Sequence, residues 1–168
     1  MQVRVGGAFG LDFADPMPQG RECPRRLVLV AGGIGISPLF SVFRHFERSR
    51  LQAQGGRRCG GLQEVVLVFG ARCRAELAFE DEIRAVARRY PSDVAVRFVV
   101  PDPPARGGEG HFSAGDALTE GHIASALGAR RGGSLCLLCG PPPMIEAAET
   151  HCIALGIPPA AVVYEKWW

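Results

Sequence analysis

No apolar run in this chain approaches the roughly 20 residues that a membrane-spanning helix needs, so no span is expected. An excess of one charge is missing too. Nineteen lysines and arginines face 17 aspartates and glutamates, for a formal net charge of +2. The arginines are scattered apart from short pairs such as Arg57-Arg58 and Arg130-Arg131, which gives no basic surface for nucleic acid. The opening Met1-Gln-Val-Arg-Val-Gly-Gly-Ala-Phe-Gly has no charged leader followed by an apolar core, so no secretory signal is expected. It reads as the middle of something already folded. Six cysteines (23, 59, 73, 136, 139 and 152) fall short of disulfide-scaffold density. They point to a reduced, soluble, intracellular setting, mitochondrial if a longer precursor exists.

Metal and hydrolytic chemistry are equally thin. The histidines at 45, 111, 122 and 151 have no metal-ligand spacing, so no metal site is expected. Ser37 has no readable histidine and aspartate support, and Glu80-Asp81-Glu82 reads as a solvated helix face. Cys136-Leu-Leu-Cys139 has C-x-x-C spacing but lies in a strand-like apolar run. Residues three apart in a strand point to opposite faces, which argues against a chelating or thiol-redox pair.

What is present is a globular composition, 47% hydrophobic over 168 residues, with strand and helix signals in alternation. The central stretch is Leu27-Val-Leu-Val-Ala-Gly-Gly-Ile-Gly-Ile-Ser-Pro38. It predicts a buried strand over about 27–31, a glycine turn, and a helix to about 49. Ser37 is the expected N-cap and Pro38 the expected first helical residue. The run 52–61 reads as loop. A second strand spans Val65–Phe69 and ends at Gly70; a helix over 75–90 would bury Phe79, Ile83, Val86 and Tyr90 on one face. Further strands are expected at 94–100, 134–139 and 161–164, with helices near 117–128 and after Gly140-Pro-Pro-Pro143.

Five apolar strands alternating with helices predict an α/β fold, a five-stranded parallel sheet covered on both faces. Ligands of such sheets bind beyond the carboxyl ends of the strands, where the strand order reverses. That selects the turns after the first and fourth strands. Residues 1–26 carry a short alternating segment and then Pro16, Pro18, Gly20 and Pro24. This reads as the tail of an upstream domain plus a linker, with the main domain over 27–168.

Gly33-x-Gly35 followed by Pro38 is not the full G-x-G-x-x-G dinucleotide fingerprint; alone it is a weak signal, with a purely structural strand-to-helix turn as the lesser alternative. Three segments taken together say more. Gly32-Gly-Ile-Gly-Ile-Ser-Pro38 resembles the G-G-x-G-x-[ST]-P turn of the ferredoxin–NADP reductase superfamily. Phe69-Gly-Ala-Arg72 with Glu76-Leu-Ala-Phe-Glu-Asp-Glu82 resembles that family's second strand and helix, and Cys139-Gly-Pro-Pro-Pro-Met144 its C-G-P-x-x-M turn. The resemblance covers about 25–168; Val5-Gly6-Gly7 and the terminal Glu165-Lys-Trp-Trp look nearest to the oxidoreductase NAD-binding domain-containing type.

The resemblance implies a strand order of 3-2-1-4-5 and a nicotinamide nucleotide as ligand. Gly32, Gly33, Gly35, Ser37 and Pro38 would line the pyrophosphate side, and Gly70 and Arg72 the adenosine half. Gly140, Pro141 and Met144 would border the nicotinamide. Cys139 would lie near the carbon that gives up hydride, with Glu165 among the catalytic candidates. Trp167 or Trp168 would cover the flavin until nicotinamide displaces it. Two plainer readings stay open: Cys139 as a small buried residue, and the two tryptophans as seals on a sheet edge or domain interface.

The family's flavin-holding R-x-Y-[ST] motif and glycine-rich phosphate turn are absent from the sequence. The chain is therefore expected to be the nicotinamide half of a flavoprotein, passing hydride from NAD(P)H to FAD held upstream, in cis or in trans, and electrons onward to an acceptor protein. The competing reading is a nucleotide-binding or docking module without turnover. Asp102, at the end of the third strand, would repel a 2′-phosphate, which favours NAD; His111-Phe-Ser113 departs from the Gly-Arg that relatives often have.

Overall fold

The computed structural model describes residues 24–53, 62–101, 118, 120–127 and 133–166. The strand expected near the amino terminus, most of the linker, residues 54–61, Asp102, His111-Phe-Ser113, Trp167 and Trp168 lie outside the described residues.

The apolar run after Pro24 forms β1 (Arg26–Gly32), buried at every position. Its neighbours are β2 (Glu64–Gly70) on one side and β4 (Ser134–Gly140) on the other. β3 (Val94–Val99) and β5 (Val162–Lys166) form the edges. All four pairings are parallel and the order is β3-β2-β1-β4-β5. Parallel strands need long crossovers, and helices α1 (Ile36–Ala53), α2 (Glu80–Arg89), α3 (Glu120–Leu127) and α4 (Pro142–Ala154) alternate with them. Sheet and helices agree with the expected fold.

The strand period of two sorts each strand between two cores. Leu27, Leu29 and Ala31 of β1 join Leu135, Leu137 and Cys139 of β4 against Phe43 of α1 and Ile83 of α2. Val28, Val30, Cys136 and Leu138 point the other way, onto Ile123 of α3 and Ile145 of α4. Cys136 and Cys139 are therefore on opposite faces of the sheet, as their spacing requires. Cys136 instead meets Cys152 of α4, and this hydrogen bond together with burial holds its thiol protonated.

An ion pair closes the end of the sheet remote from the glycine turn. Arg26 and Glu64 are register partners at the start of β1 and β2. Arg26, only 7% exposed, donates through its guanidinium to Glu64 Oε2 at 2.6 and 3.0 Å and also to the carbonyl of Leu127.

Two element starts differ from the sequence expectation. The chain turns helically at Gly33–Gly35, and the Ile36 N–H is already bonded to the carbonyls of Gly33 and Ile34. Ser37 is thus inside the first turn of α1 and is not its N-cap, and Pro38 is the third residue of the helix, not the first, where a missing N–H still costs no intrahelical bond. α2 begins at Glu80, not near 75. Residues Arg74–Glu76 form a separate 3-10 turn, and Phe79 takes a left-handed φ of 62°. Ile83 and Val86 stay on the buried face, but Phe79 leaves it. α1 also continues to Ala53, past the expected loop start.

Candidate functional site

At the carboxyl ends of β1 and β4, where the strand order reverses, the two turns interlock through their glycines. A Cβ on Gly35 would collide with the Cys139 carbonyl, and one on Gly32 with Met144 Sδ. A Cβ on Gly140 would meet Met144 Cε at 2.8 Å and the Gly32 backbone at 3.2 Å. At Gly35 only hydrogen fits, because the obstacle is backbone; at Gly32 and Gly140 the flexible end of the Met144 side chain would have to shift. Gly33 differs: it faces open space, and its φ of 53° is the reason for glycine there.

Above this interlock lies an open cleft of about 630 Å³. The β1 turn contributes Gly33, Ile34, Ile36 and Ser37, the segment after β2 contributes Arg72, Glu76 and Phe79, and Pro141 closes the β4 side. Ile34 is 75% exposed at its rim. Of the sequence-derived candidates, Gly33, Ser37, Arg72 and Pro141 line the cleft. Gly32, Gly35, Gly140 and the buried Met144 form the packed layer of the two interlocking turns. Pro38 is partly buried in α1. Gly70 ends β2 in register with Gly32, where a Cβ would touch Leu118 Cδ1 at 3.4 Å.

Cys139 is fully buried in the core on the α1 side; its carbonyl, at Gly35, is the group that shapes the turn. Glu165, partly buried, is its register partner on β5.

Arg72 arrives in the cleft already paired. Its Nε donates to Glu76 Oε2 at 3.0 Å, and a second guanidinium nitrogen donates to Oε1. The hydrogen bond from Arg72 holds the Glu76 carboxyl below its usual range, and Glu76 raises Arg72 in turn. A second cleft, of about 610 Å³, lies between α2 and β3. There Glu80 is shared by Arg84 and Arg74 at 2.7 and 3.1 Å, and the Arg84 guanidinium sits 4.6 Å over the Phe98 ring.

Glu76 and Phe79 are among the cleft residues that the sequence reading did not single out as site residues. The signal was available in Glu80-Asp81-Glu82: three acids together suit a helix's first turn, where they face the positive end of the dipole. A helix starting there leaves Phe79 outside it.

The oxidoreductase NAD-binding domain pattern matches residues 29–150, which contain the glycine turn, the Arg72 segment and the β4 turn. The chain belongs to this family. An oxidoreductase NAD-binding domain-containing protein 1 from Xenopus tropicalis is 33% identical over 168 residues, covering 99% of this chain and 51% of the relative. The family member described here thus spans about half the length of such relatives. Among solved structures, a cytochrome P450 reductase from Amycolatopsis is similar at 29% identity and a TM-score of 0.57, over 92% of this chain and 41% of that one. The cytochrome b5 reductase domain of Ulva prolifera nitrate reductase, at 21% identity and a TM-score of 0.65, shares the fold over 84% of this chain and 49% of that one. The chain is an oxidoreductase NAD-binding module with the fold of the ferredoxin-reductase NAD(P)-binding domain. Among the described residues no helix is long and apolar enough to cross a membrane, and no His/Cys/Asp/Glu cluster could hold a metal.

Proposed function

We propose that residues 27–168 are the nicotinamide-nucleotide half of a flavin-dependent oxidoreductase, passing hydride from NAD(P)H to FAD carried by another domain. The observation that carries this reading is the Gly35–Cys139 contact. It closes two turns into a main-chain floor at the start of an 18-residue helix, where backbone N–H groups and the helix dipole favour a diphosphate. The open space at Gly33 and the exposed Ser37 leave that floor accessible from the cleft.

The bound reduced nicotinamide supplies the hydride. The chain's own residues bind and orient it. Ser37 offers a hydroxyl to the diphosphate, Pro141 gives a rigid wall on the nicotinamide side, and Arg72 with Glu76 faces the adenosine side. Cys139 and Glu165 back the nicotinamide end, and Trp167 or Trp168 covers the flavin ring. The nucleotide is NAD in this reading: Glu76, kept ionised in the cleft, and Asp102 both disfavour a 2′-phosphate.

The flavin comes from a barrel domain upstream of residue 27, in cis or in trans, which accords with the chain spanning about half of its relatives' length. Electrons then pass to an acceptor protein. Titration of the purified chain with NADH and NADPH, repeated with an added flavin domain, tests the proposal. NADH should bind, and flavin should be reduced only after complementation. Failure of both nucleotides to bind at millimolar concentration overturns it; binding with no flavin reduction leaves a docking module without turnover.

A further inference from the structure

Cys136 and Cys152 are buried together on the face of the sheet that α3 and α4 cover. Neither lines the clefts described above. Cys136 lies in β4, flanked across the sheet by Val28 and Val162. Cys152 lies in the last turn of α4, which ends at Ala154. The two thiols are hydrogen-bonded, Cys136 donating and Cys152 accepting. That bond lowers the Cys152 thiol, against the opposing effects of burial and of the Glu149 charge, and it pushes Cys136 up. The pair is thus polarised. Cys152 is the sulfur that more readily carries negative charge, and Cys136 the one that keeps its proton.

We infer that Cys136 and Cys152 are a modification site, converted by a peroxide into a disulfide that staples α4 to β4. The Cys152 thiolate attacks one peroxide oxygen, which gives a sulfenic acid and releases hydroxide. The Cys136 sulfur then attacks the Cys152 sulfur, and the sulfenic hydroxyl leaves as water with the Cys136 proton. The hydroxide takes up the proton that Cys152 lost. Both sulfurs are oxidised, and one peroxide is reduced to two waters. Because both side chains are fully buried, the oxidant reaches Cys152 through local opening of the last α4 turn. That turn is exposed at Ile153 and Ala154 and is followed by Gly156 at a φ of 88°. The hydrogen bond from the Ile157 N–H to the Cys152 carbonyl, at 3.1 Å, holds it shut. Reclosing returns Cys152 to Cys136. The loop closed between 136 and 152 contains the β4 turn, including Gly140 and the Met144 side chain that packs against Gly32. The staple therefore restrains one wall of the interlocked turns.

The full chain is treated with hydrogen peroxide in the absence of denaturant. It is then unfolded in N-ethylmaleimide to cap remaining thiols, and its peptides are mapped by mass spectrometry without reduction. A Cys136–Cys152 crosslink that dithiothreitol reverses is expected, with a thermal midpoint raised by roughly 5–10 °C. Cys136→Ala should leave a sulfenic acid at Cys152 that dimedone traps, and Cys152→Ala should leave none at Cys136. Mapping of the unsubstituted chain decides the pairing even where a variant does not fold. Three results overturn the inference: peroxide leaves both cysteines as thiols, either one pairs with a different cysteine, or the crosslinked chain unfolds at a lower temperature than the reduced one. Dimedone labelling of Cys136 in Cys152→Ala overturns the order of attack.

Discussion

Replacing Gly35 by alanine would drive a methyl group into the Cys139 carbonyl, which is backbone and has no rotamer to escape through. The two turns would have to separate, at a cost of about 3 kcal/mol, the upper end for overpacking a tight site. Urea unfolding of Gly35→Ala should show that loss, and NADH binding should fall with it. Gly33→Ala meets no atom, so its cost is limited to the strain of a positive φ, about 1–2 kcal/mol. The Arg72–Glu76 pair makes a different kind of prediction. Glu76 is depressed below 4.5 by its hydrogen bond from Arg72. Its stabilising effect is therefore complete above about pH 4.5, the unfolded value, and is lost as pH falls through the lower folded value. Both groups are exposed, so the effect on stability is small. A carboxyl NMR titration should place the Glu76 midpoint below 4.5, and Arg72→Ala should return it toward that value.

Elements begin where local charge and tertiary contact agree. α2 starts at Glu80 because three acids meet its dipole there; helical periodicity alone extends it back to Phe79 and beyond. α1 starts before Ser37 because the glycine turn has already bonded the Ile36 N–H, which makes a side-chain cap unnecessary. At the opposite end of the sheet, the starts of β1 and β2 are tied by Arg26 and Glu64. Arg26→Ala leaves Glu64 facing a partly buried void without its guanidinium and removes a donor from the Leu127 carbonyl. Breaking such a pair costs about 3 kcal/mol. Thermal unfolding should show that destabilisation, with NADH affinity unchanged, since the pair lies at the far end of the strands from the cleft.

At the scale of the whole molecule, the sequence by itself determined the architecture. Strands one, two and four are unbroken apolar runs, which only a sheet buried on both faces accommodates, and glycines mark their carboxyl ends. The order of the three motifs then identified the family, and period-two geometry alone separated Cys136 from Cys139. Tertiary structure decided what each motif residue does. Sequence spacing could not show that the Cys139 thiol enters the core while its carbonyl shapes the turn. Nor could it show that Arg72 is held by Glu76, or that Phe79 leaves the α2 face to stack on Phe40. Those outcomes depend on which atoms from distant segments occupy the same few ångströms, and one-dimensional spacing carries no record of that.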